Sequence, residues 1–313
     1  MRTVRGDHLE TQMARYKKGQ INIVLQEKQQ QVKAPETPTV VRQPNHRTFA
    51  QIDKRFESFV GLNELKYMVK QIYATMIVNQ KREEMGLKAS GQVLHMLFKG
   101  NPGTGKTTVA RELAKLFHEM NLLTKGHFIE AERADLVGEY IGQTAQKTRA
   151  LVQKALGGIL FIDEAYSLGR GGEKDFGKEA IDTLVKHMED HQNDFVLILA
   201  GYPHEMERFL ELNPGLHSRF PFILEFDDYG LDQLMEIAKQ KFAKLEYELT
   251  KEAEWKLRLE IDKERHSRNF SNGRYIRNLV EKTIRAHAMR LLTREMYSAK
   301  DLMEIRESDL TFD

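Results

Sequence analysis

The sequence contains no cysteine. The chain can therefore form neither a disulfide nor a metal site with thiolate ligands. It also lacks any apolar run of about 18 residues, the length that a membrane-spanning helix needs. No apolar core of signal-peptide length follows Met1. Together these absences predict a cytoplasmic protein that does not span a membrane.

The sequence also lacks an excess of one charge: it contains 48 basic and 46 acidic residues, so its net charge is only +2. Proteins whose main partner is a nucleic acid usually carry a clear basic excess, so the balance argues against such a partner. A content of 41% hydrophobic and 30% charged residues is typical of globular proteins, and 313 residues suffice for about two domains.

Proline is scarce, yet three of the seven prolines lie between residues 35 and 44. Proline neither continues a helix nor donates a backbone hydrogen bond to a sheet, so this stretch is predicted to be a linker. We assign residues 1–50 to an N-terminal segment with this linker. Within it, 9–18 are predicted to form a short helix and 21–25 a short strand, which together make either a small docking element or no stable structure.

Beyond the linker, residues 51–229 alternate helix-like segments with apolar, strand-like runs. Runs of this kind are typical of parallel strands that are buried on both faces. Apolar residues at helical spacing also predict a helix over 56–80. We therefore expect an α/β domain over 51–229 and, because the later pattern is almost wholly helical, a second domain over 230–313. The predicted strands are 93–98, 127–131, 159–162, 195–200 and 222–226.

The most specific motif is Gly-Asn-Pro-Gly-Thr-Gly-Lys-Thr at 100–107, which satisfies G-x-x-x-x-G-K-[ST]. A predicted strand precedes it and a helical pattern follows, as a phosphate-binding loop requires. Lys106 is expected to reach the outer phosphates and the Thr107 hydroxyl to hold Mg²⁺. The motif predicts that the chain binds ATP and Mg²⁺. The predicted nucleotide-binding residues of this loop are Gly100, Asn101, Pro102, Gly103, Thr104, Gly105, Lys106, Thr107 and Thr108.

A second motif places two carboxylates, Asp163 and Glu164, directly after the apolar run 159–162. The carboxyl ends of parallel strands form the edge where α/β sheets bind ligands. Asp163 is expected to hold Mg²⁺ and Glu164 to orient or polarise the attacking water. With Lys106, they predict an enzyme that splits ATP and water into ADP and phosphate.

From about residue 56 to 312 the chain resembles AAA+ ATPases of the clade that contains the red-type Rubisco activase. The resemblance implies a P-loop NTPase core with a parallel sheet of order 5-1-4-3-2, a small C-terminal helical lid domain and a homo-oligomeric ring, a hexamer. It also implies a protein client and a role in bacterial spore formation. It rests on the phosphate loop and on the segments Asp135–Gly142, Leu160–Tyr166, Leu199–Tyr202, Pro214–Phe220 and Ser271–Arg277.

The resemblance implies roles for three further sites. Arg219 matches an arginine finger that acts on the nucleotide of a neighbouring subunit; the alternative is a surface arginine that caps a turn. Arg274 matches a phosphate-sensing lid arginine, with Arg277 one turn later as the alternative. Val60 and Gly61 match the adenine pocket.

Tyr140, Ile141 and Gly142 match a loop that faces the central pore of ring-forming unfoldases. An exposed aromatic side chain there can grip polypeptide without reading its sequence. Alternatively, Tyr140 packs into the core at the start of a helix. The glycine-rich segment 169–175 is either a second pore loop or an ordinary turn.

One segment departs from the wider family. Many AAA+ proteins place Asn or Thr at the end of the fourth strand, where it positions the hydrolytic water. Here Leu199-Ala200-Gly201 offers no amide or small hydroxyl, so Tyr202 or a backbone group would have to substitute.

The leading hypothesis is a ring-forming ATPase that remodels or threads a client protein. The alternatives are a nucleic-acid motor or loader on the same core and an ATP-gated interaction scaffold. The charge balance disfavours the first alternative. Glu164 and Arg219 disfavour the second, because a scaffold does not need them.

Overall fold

The centre of the fold is a parallel sheet of five strands within residues 44–313, which form one structural unit. In the computed structural model, residues 46–57, 59–171, 175–211, 214–267, 269–293 and 295–312 are described. The elements predicted for 9–18 and 21–25 lie outside these ranges. The strands are β1 (Met96–Gly100), β2 (Phe128–Ala131), β3 (Ile159–Ile162), β4 (Val196–Gly201) and β5 (Phe222–Phe226).

The strand order is β2-β3-β4-β1-β5, with every neighbouring pair parallel. Read from the opposite edge of the sheet, this is the predicted order 5-1-4-3-2. The predicted α/β fold is therefore confirmed. Parallel neighbours require crossover connections, which the intervening helices provide. The helices between successive strands are α3 (Lys106–Glu119), α4 (Arg133–Leu136), α5 (Gln143–Ala155), α6 (Gly177–Asp190), α7 (Pro203–Glu211) and α8 (Pro214–His217), whereas α1 (His46–Arg55) and α2 (Asn63–Glu84) precede β1.

Helices cover both faces of the sheet because the apolar strand residues alternate between two cores. Met96 and Phe98 of β1 belong to the core that α2 and α3 complete, whereas Leu97 belongs to the core under α6 and α7. All four residues of β3 are buried. Fully burying one such side chain stabilises the fold by about 1.5–3 kcal/mol, so these runs fix the central strands.

The C-terminal part has a third apolar core of its own, built mainly from three helices. The two-residue strands β6 (Glu248–Leu249) and β7 (Glu304–Ile305) pair in parallel beside this core. A buried ion pair also stabilises this C-terminal part. Nε of Arg290 donates to Oδ1 of Asp309 at 2.6 Å, and Nη2 of Arg290 donates to Oδ2 of Asp309 at 3.0 Å. The elements are α9 (Leu231–Lys244), β6 (Glu248–Leu249), α10 (Lys251–Glu264), α11 (Asn272–Leu292), α12 (Ala299–Met303) and β7 (Glu304–Ile305).

The helix predicted for 56–80 corresponds to α2, which begins only at Asn63 because a turn follows α1, and in this turn Gly61 has φ +78°. That left-handed conformation favours glycine and interrupts the helical path. None of the helices in the described ranges is long and apolar enough to cross a membrane.

Candidate nucleotide-binding and catalytic site

The predicted site lies at the carboxyl edge of the sheet. The phosphate loop follows β1, the acidic pair follows β3, and Asp228 follows β5 shortly after Phe226, the register partner of Gly100. The charges of all three carboxylates act on the Lys106 ammonium. The structure therefore brings the two strongest sequence motifs together.

The phosphate loop depends on two glycines. Gly103 and Gly105 have φ values of +75° and +99°, which other residues rarely adopt. At Gly103 a Cβ atom would lie 2.1 Å from the Ser271 carbonyl oxygen, so a side chain has no room there. Gly105 directly precedes α3, whose first residue is Lys106, and a helix start carries the positive end of the helix dipole. This arrangement suits an anion.

The Lys106 ammonium is half-buried and donates to the carbonyl oxygens of Gly100 at 2.7 Å and Asn101 at 2.9 Å. Burial lowers the pKa of Lys106; Asp163 opposes this and Arg274 adds to it. Within the described residues no carboxylate forms an ion pair with the ammonium. A partly desolvated cation that contacts only carbonyl dipoles fits a phosphate group as its partner.

The acidic pair has an unusual backbone. Asp163 Oδ1 accepts a hydrogen bond from the Glu164 N–H at 2.9 Å, and Glu164 has φ +46°. A left-handed conformation costs a non-glycine residue free energy and is often kept at functional sites. The Glu164 side chain is exposed, and among the described residues the Thr107 hydroxyl has no hydrogen-bond partner. Carboxylate and hydroxyl oxygens are the ligands that Mg²⁺ prefers, so Thr107 and Asp163 fit this ion.

A hydrogen-bond network joins the phosphate loop to the start of α11. Nδ2 of the buried Asn272 donates to Asp228 Oδ1 at 2.7 Å and to the Pro102 carbonyl at 3.3 Å, and the Gly273 N–H donates to the Gly103 carbonyl at 3.0 Å. Sequence reasoning missed Asp228 and Asn272. The available signal was the position of Asp228 just after a strand, which parallels that of Glu164.

The two candidate lid arginines face different neighbours. The charge of Arg274 lowers the pKa of Lys106, whereas the charge of Arg277 lowers the pKa of Lys241 on α9. Both arginines are exposed. The structure thus places Arg274, and not Arg277, beside the phosphate loop.

Arg219 lies at the opposite edge of the sheet. It precedes β5, which runs parallel to β1 in the register Met96 to Phe222 and Gly100 to Phe226. The strand alone spans about 13 Å between that edge and the phosphate loop. The Arg219 guanidinium forms an ion pair with Glu189 near the end of α6 and also donates to the Gly215 carbonyl. The structure therefore does not bring Arg219 into its own protomer's site.

The loop before α5 is exposed. Tyr140 is 68% and Ile141 90% exposed, and Gly142 has φ +84°. This protomer therefore does not pack Tyr140 into its core. A cleft of about 620 Å³ is lined by Asp163, Glu164 and the adjoining segment 137–139. The centre of the other candidate pore loop, 172–174, lies outside the described residues.

Val60 and Gly61, the expected adenine-pocket pair, lie between α1 and α2. Val60 is half-buried, and a Cβ atom on Gly61 would lie 2.4 Å from Nε2 of Gln233. Gln233 is in the first turn of α9. The pair thus lies where the sheet domain meets the first C-terminal helix.

Two family descriptions match the sheet and the C-terminal helical part of this architecture. Residues 96–228 match the ATPase family associated with various cellular activities (AAA), and residues 230–313 match the AAA lid domain. The chain belongs to the AAA ATPase family. This AAA ATPase is an enzyme that hydrolyses ATP, and its family binds ATP, usually with Mg²⁺.

Relatives of this AAA ATPase match over most of their length. It is 58% identical to stage V sporulation protein K of Bacillus subtilis over 302 residues, covering 94% of each chain. It is 42% identical to protein CbbX of Cereibacter sphaeroides, covering 80% of this chain and 82% of the relative. With the chloroplastic ribulose bisphosphate carboxylase/oxygenase activase of Cyanidioschyzon merolae the identity is 39%, covering 83% and 89%.

Among solved structures, the Thermotoga maritima RuvB Holliday junction branch migration motor has the same fold. The TM-score is 0.51 and the identity 21%, covering 80% of this chain and 68% of that one. At this identity the likeness concerns the fold alone.

Proposed function

We propose that this AAA ATPase assembles into a ring, a hexamer, in which neighbouring protomers share each catalytic site. The position of Arg219 carries this proposal. Its guanidinium lies at the amino edge of β5, whereas Lys106, Asp163 and Glu164 lie at the carboxyl edge. A second protomer that packs this edge against the nucleotide of the first brings the missing cation to the phosphates.

In this site the backbone of the phosphate loop and Lys106 bind the phosphates. Glu164 orients the attacking water and accepts its proton, and the partner subunit's Arg219 stabilises the charge that develops on the transferred phosphate. Arg274 senses the same phosphates from the lid. Thr107 and Asp163 hold Mg²⁺, which when bound offsets the negative charge of the phosphates.

In this proposal, ATP hydrolysis supplies the free energy to remodel or thread a client protein that lies in the pore of the ring. Contacts of Asn272 and Gly273 with the phosphate loop connect the state of the nucleotide to the lid. The cleft between Glu164 and segment 137–139 connects the state of the nucleotide to the loop that carries Tyr140. Exposed Tyr140 and Ile141 suit a grip that tolerates many client sequences, because apolar contact needs no specific partner.

The relatives support the proposed biological setting. The 58% identity to a stage V sporulation protein supports a role in bacterial spore formation, in the cytoplasm. The activase relative is named for its action on another enzyme, which supports a protein as the client of this chain.

Replacing Tyr140 by alanine tests the threading role. In a Bacillus subtilis strain that lacks stage V sporulation protein K, the wild-type chain should restore heat-resistant spores and Tyr140→Ala should not. The purified variant should still bind ATP within about twofold, because Tyr140 lies outside the phosphate loop. Tyr67→Ala is the matched control, since Tyr67 is 66% exposed on α2; it should restore spores. Full spore counts with Tyr140→Ala would contradict the threading role.

A further inference from the structure

The side chain of Arg219 is held by two acceptors at the amino edge of the sheet. Its Nη2 pairs with Oε1 of Glu189 on α6, and its Nη1 donates to the carbonyl oxygen of Gly215 on α8. The Arg219 side chain is only 27% exposed, against 59% for that of Glu189. The guanidinium is therefore held in one orientation, unlike that of an arginine which extends freely into water.

The two elements that carry this ion pair are anchored in one apolar core. Leu216 and Phe220, on either side of Arg219, are buried in the same cluster as Met188, which directly precedes Glu189 on α6. The Arg219 N–H also donates to the Leu216 carbonyl at 3.0 Å. The ion pair therefore joins two backbone positions that packing already fixes.

These contacts leave part of the guanidinium for another ligand. A guanidinium has five N–H groups, one on Nε and two on each Nη nitrogen. The described residues engage one N–H of each Nη of Arg219, and among them the buried Nε has no hydrogen-bond partner. One N–H on each Nη remains, and two such groups can bind a pair of phosphate oxygens.

We propose that Glu189 is the positioning residue for Arg219. It holds the guanidinium so that the two remaining Nη N–H groups face the phosphates bound by the neighbouring protomer. This assignment rests on the shared catalytic site proposed above. An arginine with a free head group samples many rotamers, and this freedom is lost when the group binds phosphate. The ion pair removes the freedom beforehand, so more of the fingers are ready to act.

Steady-state ATP hydrolysis by the full chain tests the role of Glu189. Glu189→Ala should lower kcat about 10-fold, because the finger remains but loses a hydrogen bond to a charged acceptor. The KM for ATP should change less than about twofold, because Glu189 pairs with Arg219 at the edge opposite the phosphate loop. Glu189→Gln keeps an acceptor oxygen of the same reach and should lower kcat less than about threefold.

Asp190→Ala is the matched control. Asp190 is exposed and follows Glu189 at the end of α6, so both substitutions remove one negative charge from the same helix end. Within the described residues Arg219 pairs with Glu189 and not with Asp190. Asp190→Ala should therefore keep kcat within about twofold. The melting temperature of both variants should stay close to that of the wild type, because ion pairs with exposed partners contribute little to stability.

Mixed rings show on which protomer Glu189 acts. A Glu189→Ala protomer keeps its own Glu164, and a Glu164→Gln neighbour supplies an intact finger. In an equal, random mixture about one quarter of the interfaces are complete, so hydrolysis should reach about a quarter of the wild-type rate. A mixture of Glu189→Ala with Arg219→Ala should show no such gain, because neither protomer supplies a working finger.

The outcomes separate this assignment from the shared site. An unchanged kcat in Glu189→Ala, or an equal loss in Asp190→Ala, would overturn the role of Glu189 alone, provided that Arg219→Ala is inactive. A mixture of Glu189→Ala with Glu164→Gln that is no faster than the average of its components would place the effect of Glu189 in its own protomer and overturn it too. Wild-type hydrolysis by Arg219→Ala would instead refute the shared site, and the role of Glu189 would fall with it.

Discussion

Replacing Arg219 by alanine should lower the rate of ATP hydrolysis by about 1,000-fold or more, the range known for arginine fingers that act in trans. ATP binding should stay within about twofold, because the structure places Arg219 at the edge of the sheet opposite the phosphate loop. Phosphate release and ATP titration measure the two quantities. The variant also loses the ion pair with Glu189, so its melting temperature should be recorded alongside.

Arg208→Ala provides the matched control for this effect. Arg208 is an exposed arginine on α7 and should tolerate the change with nearly wild-type activity. Wild-type hydrolysis by Arg219→Ala would mean that Arg219 only caps its turn. A loss of ATP binding in that variant would contradict the assignment of Arg219 to a neighbouring protomer's site.

Replacing Glu164 by glutamine should lower kcat by a factor of about 100 to 10,000, the range of general acid–base contributions. Glutamine keeps the size of the side chain but cannot accept the proton of the attacking water. ATP should remain bound, because Lys106 and the phosphate loop are unchanged. Single-turnover hydrolysis and retention of ATP on the protein measure these effects.

Glu139→Gln is the matched control, because Glu139 is an exposed glutamate that lines the same cleft. It should hydrolyse ATP at a nearly wild-type rate. Equal rates in Glu164→Gln and the wild type would leave Glu164 without a catalytic role and would favour an ATP-gated scaffold.

The sequence predicted the sheet well because its strands are apolar on both faces, a local property. The largest shift is in β1, predicted at 93–98 and found at Met96–Gly100. The cause is His95, whose Nδ1 accepts the Leu197 N–H at 3.0 Å and so takes the place of a backbone partner before β1 starts. Burial lowers the pKa of His95 to about 4, so its ring is a neutral acceptor near pH 7.

The site could be predicted only in part. Lys106 and Glu164 belong to contiguous motifs with defined spacing, and the structure places them together. The contacts of Asp228 with Asn272 and of Arg219 with Glu189 join residues distant in sequence, which no local periodicity encodes. The pairing of β6 with β7 involves two residues per strand, too short for an alternating pattern.

Mixing the two inactive variants tests the shared site most directly. In a ring, an Arg219→Ala protomer retains Glu164 and can receive the intact Arg219 of a Glu164→Gln neighbour. If subunits mix at random in equal amounts, about one quarter of the head-to-tail interfaces are complete. ATP hydrolysis should therefore recover to about a quarter of the wild-type rate. A mixture no more active than the sum of its two components would contradict catalysis across the subunit interface.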